Sequence, residues 1–324
     1  MRALRIAGIS LGLVLGLGAC MPDIAAIGGG GKGRSVSLGT PAAAGGLDQR
    51  TVMAAGLERS YHIYVPKSVA AAGGSAPAIV TFHGGGGNAL EFAKRIDIRR
   101  VADARGMIVL APQGVGRGDK GFWNAGSISP VGMAERNNVD DLAFIQAMLR
   151  DAASVAPIDP SRVYAAGLSK GGMLAYHAAC NLPGTFTAIA AVASTLSAAD
   201  CPNPQGVSLL HIHGTDDKNV PFSGGSGEMS AKGANWPPAS LGIERFSAAN
   251  QCAPQAQVMR PAQDTTCQVT SCAGGEKVEL CLVEGGGHAW PGIEPAPWQQ
   301  KYGVYVSPYF KATDFVVDFL LSSN

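Results

Sequence analysis

A serine between closely spaced glycines is the feature of this chain best suited to chemistry. The segment reads Val163-Tyr164-Ala165-Ala166-Gly167-Leu168-Ser169-Lys170-Gly171-Gly172. An apolar, β-forming run leads into Gly-x-Ser-x-Gly, and a helical stretch of small residues follows from Met173. This order of strand, sharp turn and helix is what a nucleophile elbow requires, because only glycines let the helix pack beside a strained serine. The sequence therefore predicts that Ser169 is a nucleophile.

A serine hydroxyl needs a base, and the base needs an acid that orients it. In chains with this elbow the acid follows the serine and the histidine comes last. His288 lies in a Gly-rich segment beyond a predicted strand and fits the position of the base. Asp216 and Asp217 both follow the strand predicted at 208–212, and spacing alone does not separate them. The other histidines are expected to be structural: His62, His83, His177, His211 and His213.

Acyl transfer also needs hydrogen-bond donors aimed at the developing oxyanion. The backbone N–H of Lys170, next after the serine, is one candidate. The second is expected from the glycine run after His83, at Gly85 or at Gly84. Glycine suits this position because no side chain blocks the substrate carbonyl.

The elements that must position these residues alternate between apolar strands and helical stretches. Buried strands are predicted at 78–82, 107–110, 187–193 and 208–212, with helices at 89–105, 142–153, 243–250 and 313–321. Two runs between 50 and 65 indicate an edge hairpin, and a second hairpin turns at 273–276. The long loop 113–138 and the excursion 223–238 are expected to border the site. The pattern predicts the α/β class, with a mostly parallel central sheet and helices on both faces.

Two adjacent acids open the predicted helix at 142. Asp140 and Asp141 could form a metal or catalytic carboxylate pair. Acids in the first turn of a helix are explained by capping and by the helix dipole, so the structural interpretation is favoured.

Composition limits the classes of partner. The chain has 324 residues, 46% of them apolar and 15% charged, with a net charge of +1. This balance argues against nucleic-acid binding, which needs clustered Lys and Arg. One domain over 47–324 is expected, because the candidate residues span it.

The first 20 residues have the pattern of an export signal. Arg2 and Arg5 precede a short apolar run, which ends in Leu17-Gly18-Ala19-Cys20 and resembles a bacterial lipobox. A Gly/Ala-rich tether over 21–46 follows. The sequence predicts export with a lipid anchor on Cys20, at the outer membrane or cell surface, or else secretion.

Six cysteines remain once Cys20 is set aside, which in an exported chain indicates three disulfides. Cys267 and Cys281 flank the turn at Gly274-Gly275 almost symmetrically, so a hairpin would place them opposite each other. The predicted pairs are Cys180–Cys201, Cys252–Cys272 and Cys267–Cys281. No cysteine or histidine group has zinc spacing, so no metal site is expected.

Six motifs together resemble the polyhydroxybutyrate depolymerase/feruloyl esterase-like family of α/β-hydrolases, across about residues 48–320. They are His83-Gly84-Gly85-Gly86-Gly87-Asn88, Phe122-Trp123-Asn124, Val139-Asp140-Asp141, Gly167-Leu168-Ser169-Lys170-Gly171-Gly172, His213-Gly214-Thr215-Asp216-Asp217 and Gly285-Gly286-Gly287-His288-Ala289-Trp290-Pro291-Gly292. In the family's H-G-x-x-D pattern the acid is the fifth residue, which is Asp217 here. The resemblance further implies that Trp123 and Trp290 line the cleft with Gly84.

The resemblance also implies a function. The expected activity is hydrolysis of carboxylic esters by Ser169, Asp217 and His288, with the N–H groups of Gly85 and Lys170 holding the oxyanion. The first substrate class is polyhydroxybutyrate-like polyester or its oligomers, and the alternative is feruloyl or acetyl groups on plant polysaccharide. A non-catalytic surface-binding lipoprotein is the remote alternative. No cofactor is implied, and a monomer is expected.

Overall fold

Strands that are buried on both sides form the centre of the molecule. The structure is a computed structural model, and it describes residues 41–323. In β3 (Ala76–Phe82), β8 (Ala188–Val192) and β9 (Ser208–Gly214), every residue is buried. These strands run parallel to their central neighbours, as continuous apolar runs predict. The predicted signal, Cys20 and the tether as far as residue 40 lie outside the described residues.

The remaining strands of the main sheet are β1 (Leu47–Ala54), β2 (Leu57–Tyr64), β4 (Ile108–Pro112), β7 (Ile158–Leu168), β10 (Gln257–Ala262), β11 (Thr265–Ser271) and β12 (Lys277–Val283). The ten strands of this sheet follow the order β1-β2-β4-β3-β7-β8-β9-β12-β11-β10. The helices are α1 (Lys67–Ala72), α2 (Ala89–Arg95), α3 (Ile98–Arg105), α4 (Met133–Arg136), α5 (Asp141–Val155), α6 (Lys170–Asn181), α7 (Ser240–Ala249), α8 (Pro297–Lys301) and α9 (Ala312–Leu321). The six strands from β4 to β12 in this order pair in parallel, and the outer strands pair antiparallel.

Two hydrophobic clusters separate the faces of this sheet. Along β3, Val80 and Phe82 belong to one cluster, whereas Ile79 belongs to the other. Successive side chains of a strand point to opposite faces, so the clusters lie on opposite sides. Helices α5, α6 and α7 pack in the first cluster, and α2, α3 and α9 pack in the second. The predicted α/β fold, with a mostly parallel sheet and helices on both faces, is confirmed.

The structure differs from the sequence analysis in several local details. The single helix predicted over 89–105 is two helices, because Asp97 has a positive φ of 50° and breaks the run. The loop 113–138 contains a small hairpin of β5 (Val115–Arg117) and β6 (Lys120–Phe122), as well as α4. Strand β10 was missed because it lies at the sheet edge and is almost wholly exposed, so it has no alternation of apolar residues.

The structure contains three disulfides that match the predicted pairs: Cys180–Cys201, Cys252–Cys272 and Cys267–Cys281. Cys267 and Cys281 are direct partners in the antiparallel register of β11 and β12. Cys180 lies near the C-terminus of α6, so its bond ties the helix that follows Ser169 to a distant loop. Within residues 41–323, no helix has the length and apolar character needed to cross a membrane.

The two acids at the start of α5 have different surroundings. Asp140 caps the helix, since its Oδ1 accepts from the N–H of Ala143 at 2.8 Å. Asp141 is buried, and its two oxygens accept from Arg59 Nη2 at 2.7 Å and from the N–H of Asn124 at 2.6 Å. Burial raises the pKa of Asp141, and the guanidinium of Arg59 opposes that rise. Asp141 therefore joins β2 and α5 to the loop beyond β6.

Replacing these neighbours should separate their roles. Asp141→Asn leaves the buried Arg59 cation without its charge partner and should lower the free energy of unfolding by about 3–5 kcal/mol. Asp140→Asn is the matched control and should change it by less than about 0.5 kcal/mol, because Asn caps a helix as well as Asp does. Urea denaturation of both variants measures the difference. Equal losses would contradict the assignment of the buried pair to Asp141 alone.

Candidate active site

The backbone at Ser169 is the most constrained part of the site. Ser169 follows β7 directly and has φ 55° and ψ −121°, a conformation that costs on the order of 1–3 kcal/mol in a non-glycine residue. A Cβ on Gly167 would lie 2.3 Å from the carbonyl carbon of Gly171, and one on Gly171 would lie 2.1 Å from the carbonyl oxygen of Phe82. The start of α6 therefore approaches β7 and β3 as closely as it does only because both positions are glycine. The turn has the form predicted for a nucleophile elbow.

A cavity of about 560 Å³ opens above Ser169. Its lining includes Gly84 and Gly85 from the glycine run, Lys170 from α6, and His288. Its apolar walls come from α2, β6 and the loop after it, α6, the loop after β9, the excursion 223–238 and α8. They are Phe92, Phe122, Val131, Met173, Val220, Met229, Ala231, Trp236 and Trp298. The predicted nucleophile, base and both predicted oxyanion donors thus share one cavity.

Asp217, not Asp216, contacts His288. Nδ1 of His288 lies 2.8 Å from Oδ2 of Asp217, whose other oxygen accepts from the N–H groups of Asn219 and Val220 at 2.8 and 2.9 Å. Asp216 is exposed. Burial alone would raise the pKa of Asp217, but the interaction with His288 and the hydrogen bonds outweigh it and hold that pKa below its usual value. Asp217 is therefore an anion that holds the imidazole by Nδ1–H.

A chain of buried hydrogen bonds lies behind Asp217. The hydroxyl of Tyr176 is 2.8 Å from Nδ1 of His211, Nε2 of His211 is 2.9 Å from Nδ1 of His213, and Nε2 of His213 is 2.8 Å from the carbonyl of Val220. A carbonyl only accepts, so Nε2 of His213 carries a proton. Burial lowers the pKa of both imidazoles and keeps them neutral. Each Nδ1 must then accept, and Tyr176 must donate to His211.

This chain explains why His211 and His213 are not candidate bases. Nε2 of His213 lies 3.6 Å from the nearer oxygen of Asp217, but its proton is donated to Val220. Val220 in turn donates its N–H to Asp217. The two histidines therefore fix the backbone turn that presents the acid.

His83 fixes the glycine run in a similar way. Its Nδ1 lies 2.8 Å from the carbonyl of Gly84, and its Nε2 accepts from the N–H of Gly114 at 3.1 Å. Burial lowers the pKa of His83 to about 4, so the ring is neutral with its proton on Nδ1. A Cβ on Gly85 would lie 3.6 Å from Cβ of Lys170, and one on Gly84 would lie 3.7 Å from Cβ of Ser169. The glycine run therefore lies directly against the elbow.

The structure corrects the prediction that Trp123 and Trp290 line the cleft. Both are fully buried and neither is in the cavity lining. Trp123 lies beneath the glycine run, where its Nε1 donates to the carbonyl of His83 at 2.8 Å. Trp290 packs edge-on against Phe92, and its Nε1 donates to Thr313 at 3.0 Å. Both indoles support the site from behind.

The side chain of Lys170 makes contacts that the sequence analysis did not identify. Its Nζ donates to Oε1 of Glu135 at 2.7 Å and to Ser127 at 2.9 Å, and lies 5.1 Å from the ring centre of Trp236. Glu135 also accepts the N–H of Val131 at 3.0 Å, and both partners of the ion pair are buried. One lysine thus ties the loop after β6 and the excursion 223–238 to the start of α6. No spacing rule links Lys170 to Glu135, which lies 35 residues earlier in the chain.

One group of side chains in the described part of the chain has three possible metal-ligand atoms within reach of one another: Cys267, Glu279 and Cys281. Both cysteines are in a disulfide, so neither sulfur is a thiolate ligand. This group therefore does not support a metal centre.

The chain is similar to known esterases in sequence and in fold. NocK of Nocardia uniformis subsp. tsuyamanensis, which is named as an esterase, is 30% identical over 289 residues, which cover 84% of this chain and 82% of that protein. Feruloyl esterase B of Piromyces equi is 28% identical over 66% of this chain, which spans only 40% of that longer protein. A solved acetyl xylan esterase from Aspergillus awamori matches 79% of this chain and 98% of its own, with a TM-score of 0.54 at 15% identity.

These likenesses and the fold define a carboxylic ester hydrolase of the α/β-hydrolase class. The family described as esterase PHB depolymerase matches residues 59–201. With the similarity to NocK, this shows that the chain belongs to the polyhydroxybutyrate depolymerase/feruloyl esterase-like family.

Removing the donor at the end of the histidine chain should be costly. Tyr176→Phe leaves Nδ1 of the buried His211 without a partner and should lower the free energy of unfolding by about 1–3 kcal/mol. Tyr309→Phe, on an exposed ring, is the control and should have little effect. In the parent protein, ¹⁵N NMR should find both His211 and His213 neutral and protonated on Nε2. A signal for Nδ1–H at His213 would contradict the direction assigned to the chain.

Proposed function

We propose that the protein hydrolyses esters through an acyl-enzyme formed on Ser169. Asp217 orients the imidazole of His288, whose Nε2 takes the proton of the Ser169 hydroxyl as Oγ attacks the ester carbonyl. The same imidazole then gives the proton to the leaving alcohol. A water molecule, activated in turn by His288, releases the acid and restores the serine. The reaction uses no cofactor, and a monomer is sufficient for it.

The oxyanion is held by backbone donors at the junction of two elements. The N–H of Lys170 opens α6, where the first N–H groups of a helix have no partner within the helix and the helix dipole favours negative charge. The N–H of Gly85 is the second donor, on the run that lies against the elbow. Together they would stabilise the tetrahedral intermediate, and loss of one such donor typically costs about 10²–10³ in kcat.

The observation that carries this proposal is the pairing of His288 with Asp217 at 2.8 Å beside a cavity that also exposes Ser169. The serine conformation at the end of a parallel strand supports it, since an elbow of this kind lifts Oγ clear of the sheet. A binding protein without catalytic activity would not require this strained backbone.

The substrate we propose is a feruloyl or acetyl ester carried by a polysaccharide. The support comes from relatives and neighbours, one named as a feruloyl esterase and one titled as an acetyl xylan esterase. Polyhydroxybutyrate-like polyester is the second candidate, because the description of the matching family refers to it. Activity on methyl ferulate, aryl acetates and hydroxybutyrate oligomers, measured side by side, distinguishes the two.

We also propose that the protein is exported and held at the cell envelope by lipid on Cys20. The three disulfides support an oxidising compartment, where such bonds form and persist. The resemblance of residues 17–20 to a lipobox supports the anchor.

Removing the nucleophile should abolish turnover without unfolding the protein. Ser169→Ala should lower kcat by on the order of 10⁴–10⁶ on p-nitrophenyl acetate, because the covalent step is lost. A fluorophosphonate probe should label the parent protein and not the variant. Activity within tenfold of the parent would refute the role of Ser169, and an unlabelled, inactive parent would favour the non-catalytic alternative.

The two neighbouring acids provide a matched test of the third member. Asp217→Asn should lower kcat by about 10⁴, because the amide no longer fixes the Nδ1–H tautomer of His288. Asp216→Asn should stay within a few-fold of the parent, since its side chain is exposed. The reverse order of effects would transfer the role to Asp216.

The anchor is tested separately. Cys20→Ser should move the protein from the membrane fraction to the soluble fraction, or block its maturation, while kcat/KM of the esterase domain stays unchanged. Mass spectrometry should find acyl chains on Cys20 of the parent protein. A mature N-terminus at another residue, without acyl chains, would remove this proposal.

A further inference from the structure

Exposed aromatic side chains are concentrated in one short segment. Among the large hydrophobic residues that are exposed within residues 41–323, every aromatic one lies between residues 298 and 309. These are Trp298, Tyr302, Tyr305 and Tyr309, with exposed fractions of 38, 60, 39 and 54%. Exposed apolar surface of this kind marks an interaction site when it is contiguous. We call these four residues the aromatic strip.

The strip is attached rigidly to the loop that carries His288. Gln299 is buried, and its Nε2 donates to the carbonyl of His288 at 2.8 Å. The N–H of Gly287 donates to the carbonyl of Tyr305 at 2.9 Å. The N–H of Gly292 donates to the carbonyl of Ser307 at 2.7 Å. The aromatic rings are therefore held by a fixed backbone next to the base, and little conformational entropy is lost when a ligand binds them.

Trp298 and Tyr302 are neighbours along α8, and the first of them belongs to the cavity. Trp298 lines the cavity. Tyr302 donates its N–H to the carbonyl of Trp298 at 3.1 Å, so the two residues are one helical turn apart on the same side of α8. The rise between them is about 6 Å, close to the length of one sugar unit. A chain that has its ester at Ser169 and leaves the cavity past Trp298 would therefore meet Tyr302 next.

The chemistry of the strip favours a neutral, hydroxyl-bearing chain. Aromatic faces bind the apolar faces of sugar rings, and the exposed side chains of Gln300 and Lys301 can donate to hydroxyl groups. Lys301 lies 5.3 Å from the ring centre of Tyr302 and covers one side of it. Lys301 is the only charged residue within 298–309, and the hydroxyl of Tyr305 donates to the carboxylate of Asp264, so the strip has no cluster of cations to attract a polyanion.

We propose that the aromatic strip binds the neutral polysaccharide that carries the ester, outside the cavity and on the side of Trp298. The inference rests on the proposed function, because it assigns the alcohol side of the same substrate to this surface. Trp298 contacts the sugar nearest the ester, and Tyr302 contacts the chain beyond it. Tyr305 is held by the bond from its hydroxyl to Asp264 at 2.7 Å and extends the surface, as does Tyr309.

Binding without catalysis provides the first test. The affinity of the full chain for arabinoxylan can be measured by its retardation in gels that contain the polysaccharide, in the Ser169→Ala background. Adding Tyr302→Ala should lower this affinity by about two- to tenfold, because one stacked ring is lost. Tyr302→Phe should retain the affinity, since it keeps the ring. Met53→Ala is the matched control, because Met53 has an exposed fraction of 65% on the distant edge strand β1.

Turnover provides the second test. With Ser169 intact, Tyr302→Ala should raise KM for feruloylated or acetylated arabinoxylan by about two- to tenfold and leave kcat unchanged. Its kcat/KM on p-nitrophenyl acetate should match the parent, because Tyr302 does not line the cavity.

Several outcomes would overturn the inference. They are absence of retardation by arabinoxylan in the parent, equal loss with Met53→Ala, and equal loss of activity on the small ester. Retention on polyhydroxybutyrate particles that needs Tyr302, without binding to arabinoxylan, would assign the surface to polyester instead. If the parent hydrolyses no ester, the proposed function fails, and the binding arm still decides the role of the strip.

Discussion

The close contact between the end of β7 and the start of α6 is the constraint on which the site depends. Cβ atoms at Gly167 or Gly171 would overlap backbone atoms, and Ser169 between them is held at a φ that serine rarely adopts. The surrounding sheet supplies the free energy that maintains this strain: the N–H of Ser169 donates to Val192 on the adjacent strand, and its carbonyl accepts from Ser194. The elbow is therefore a property of the packed sheet and not of its five residues alone.

Neutral imidazoles surround the one acid–histidine pair that faces the cavity. His83, His211 and His213 are kept uncharged by burial. His83 and His213 hold backbone groups in place by hydrogen bonds, and His211 orients His213. The carboxylate of Asp217 is thus not shared with a second cation, although His213 is near it. Lys170 carries a buried positive charge close to the cavity, but the carboxylate of Glu135 balances it. In the proposed reaction, the charges that develop are those on His288 and on the oxyanion.

Local sequence patterns were sufficient for the centre of the fold and insufficient at its margins. Continuous apolar runs predicted β3 and β8, because a strand that is buried on both faces has an apolar sequence that can be identified without knowing its neighbours. Trp123 and Trp290 were wrongly placed in the cleft because a motif near the site does not determine on which side of its loop an indole lies. The orientation of each indole depends on its hydrogen bond to His83 or Thr313, which are distant in sequence. Spacing could not choose between Asp216 and Asp217, and the family pattern selected the residue that the structure places against His288. The clamp of Lys170 and Glu135 had no sequence signal.

The exposed strand β10 has a consequence for how these molecules behave when concentrated. As an edge strand it could offer its free backbone groups to a neighbouring chain, and Val258 and Met259 would add apolar contact. Its pairing with β11 shifts register between Met259 and Ala262, where Arg260 and Pro261 lie. Proline has no N–H to donate, and an irregular, charged edge does not align with a second strand. The sheet therefore ends at this edge in a form that resists growth into aggregates.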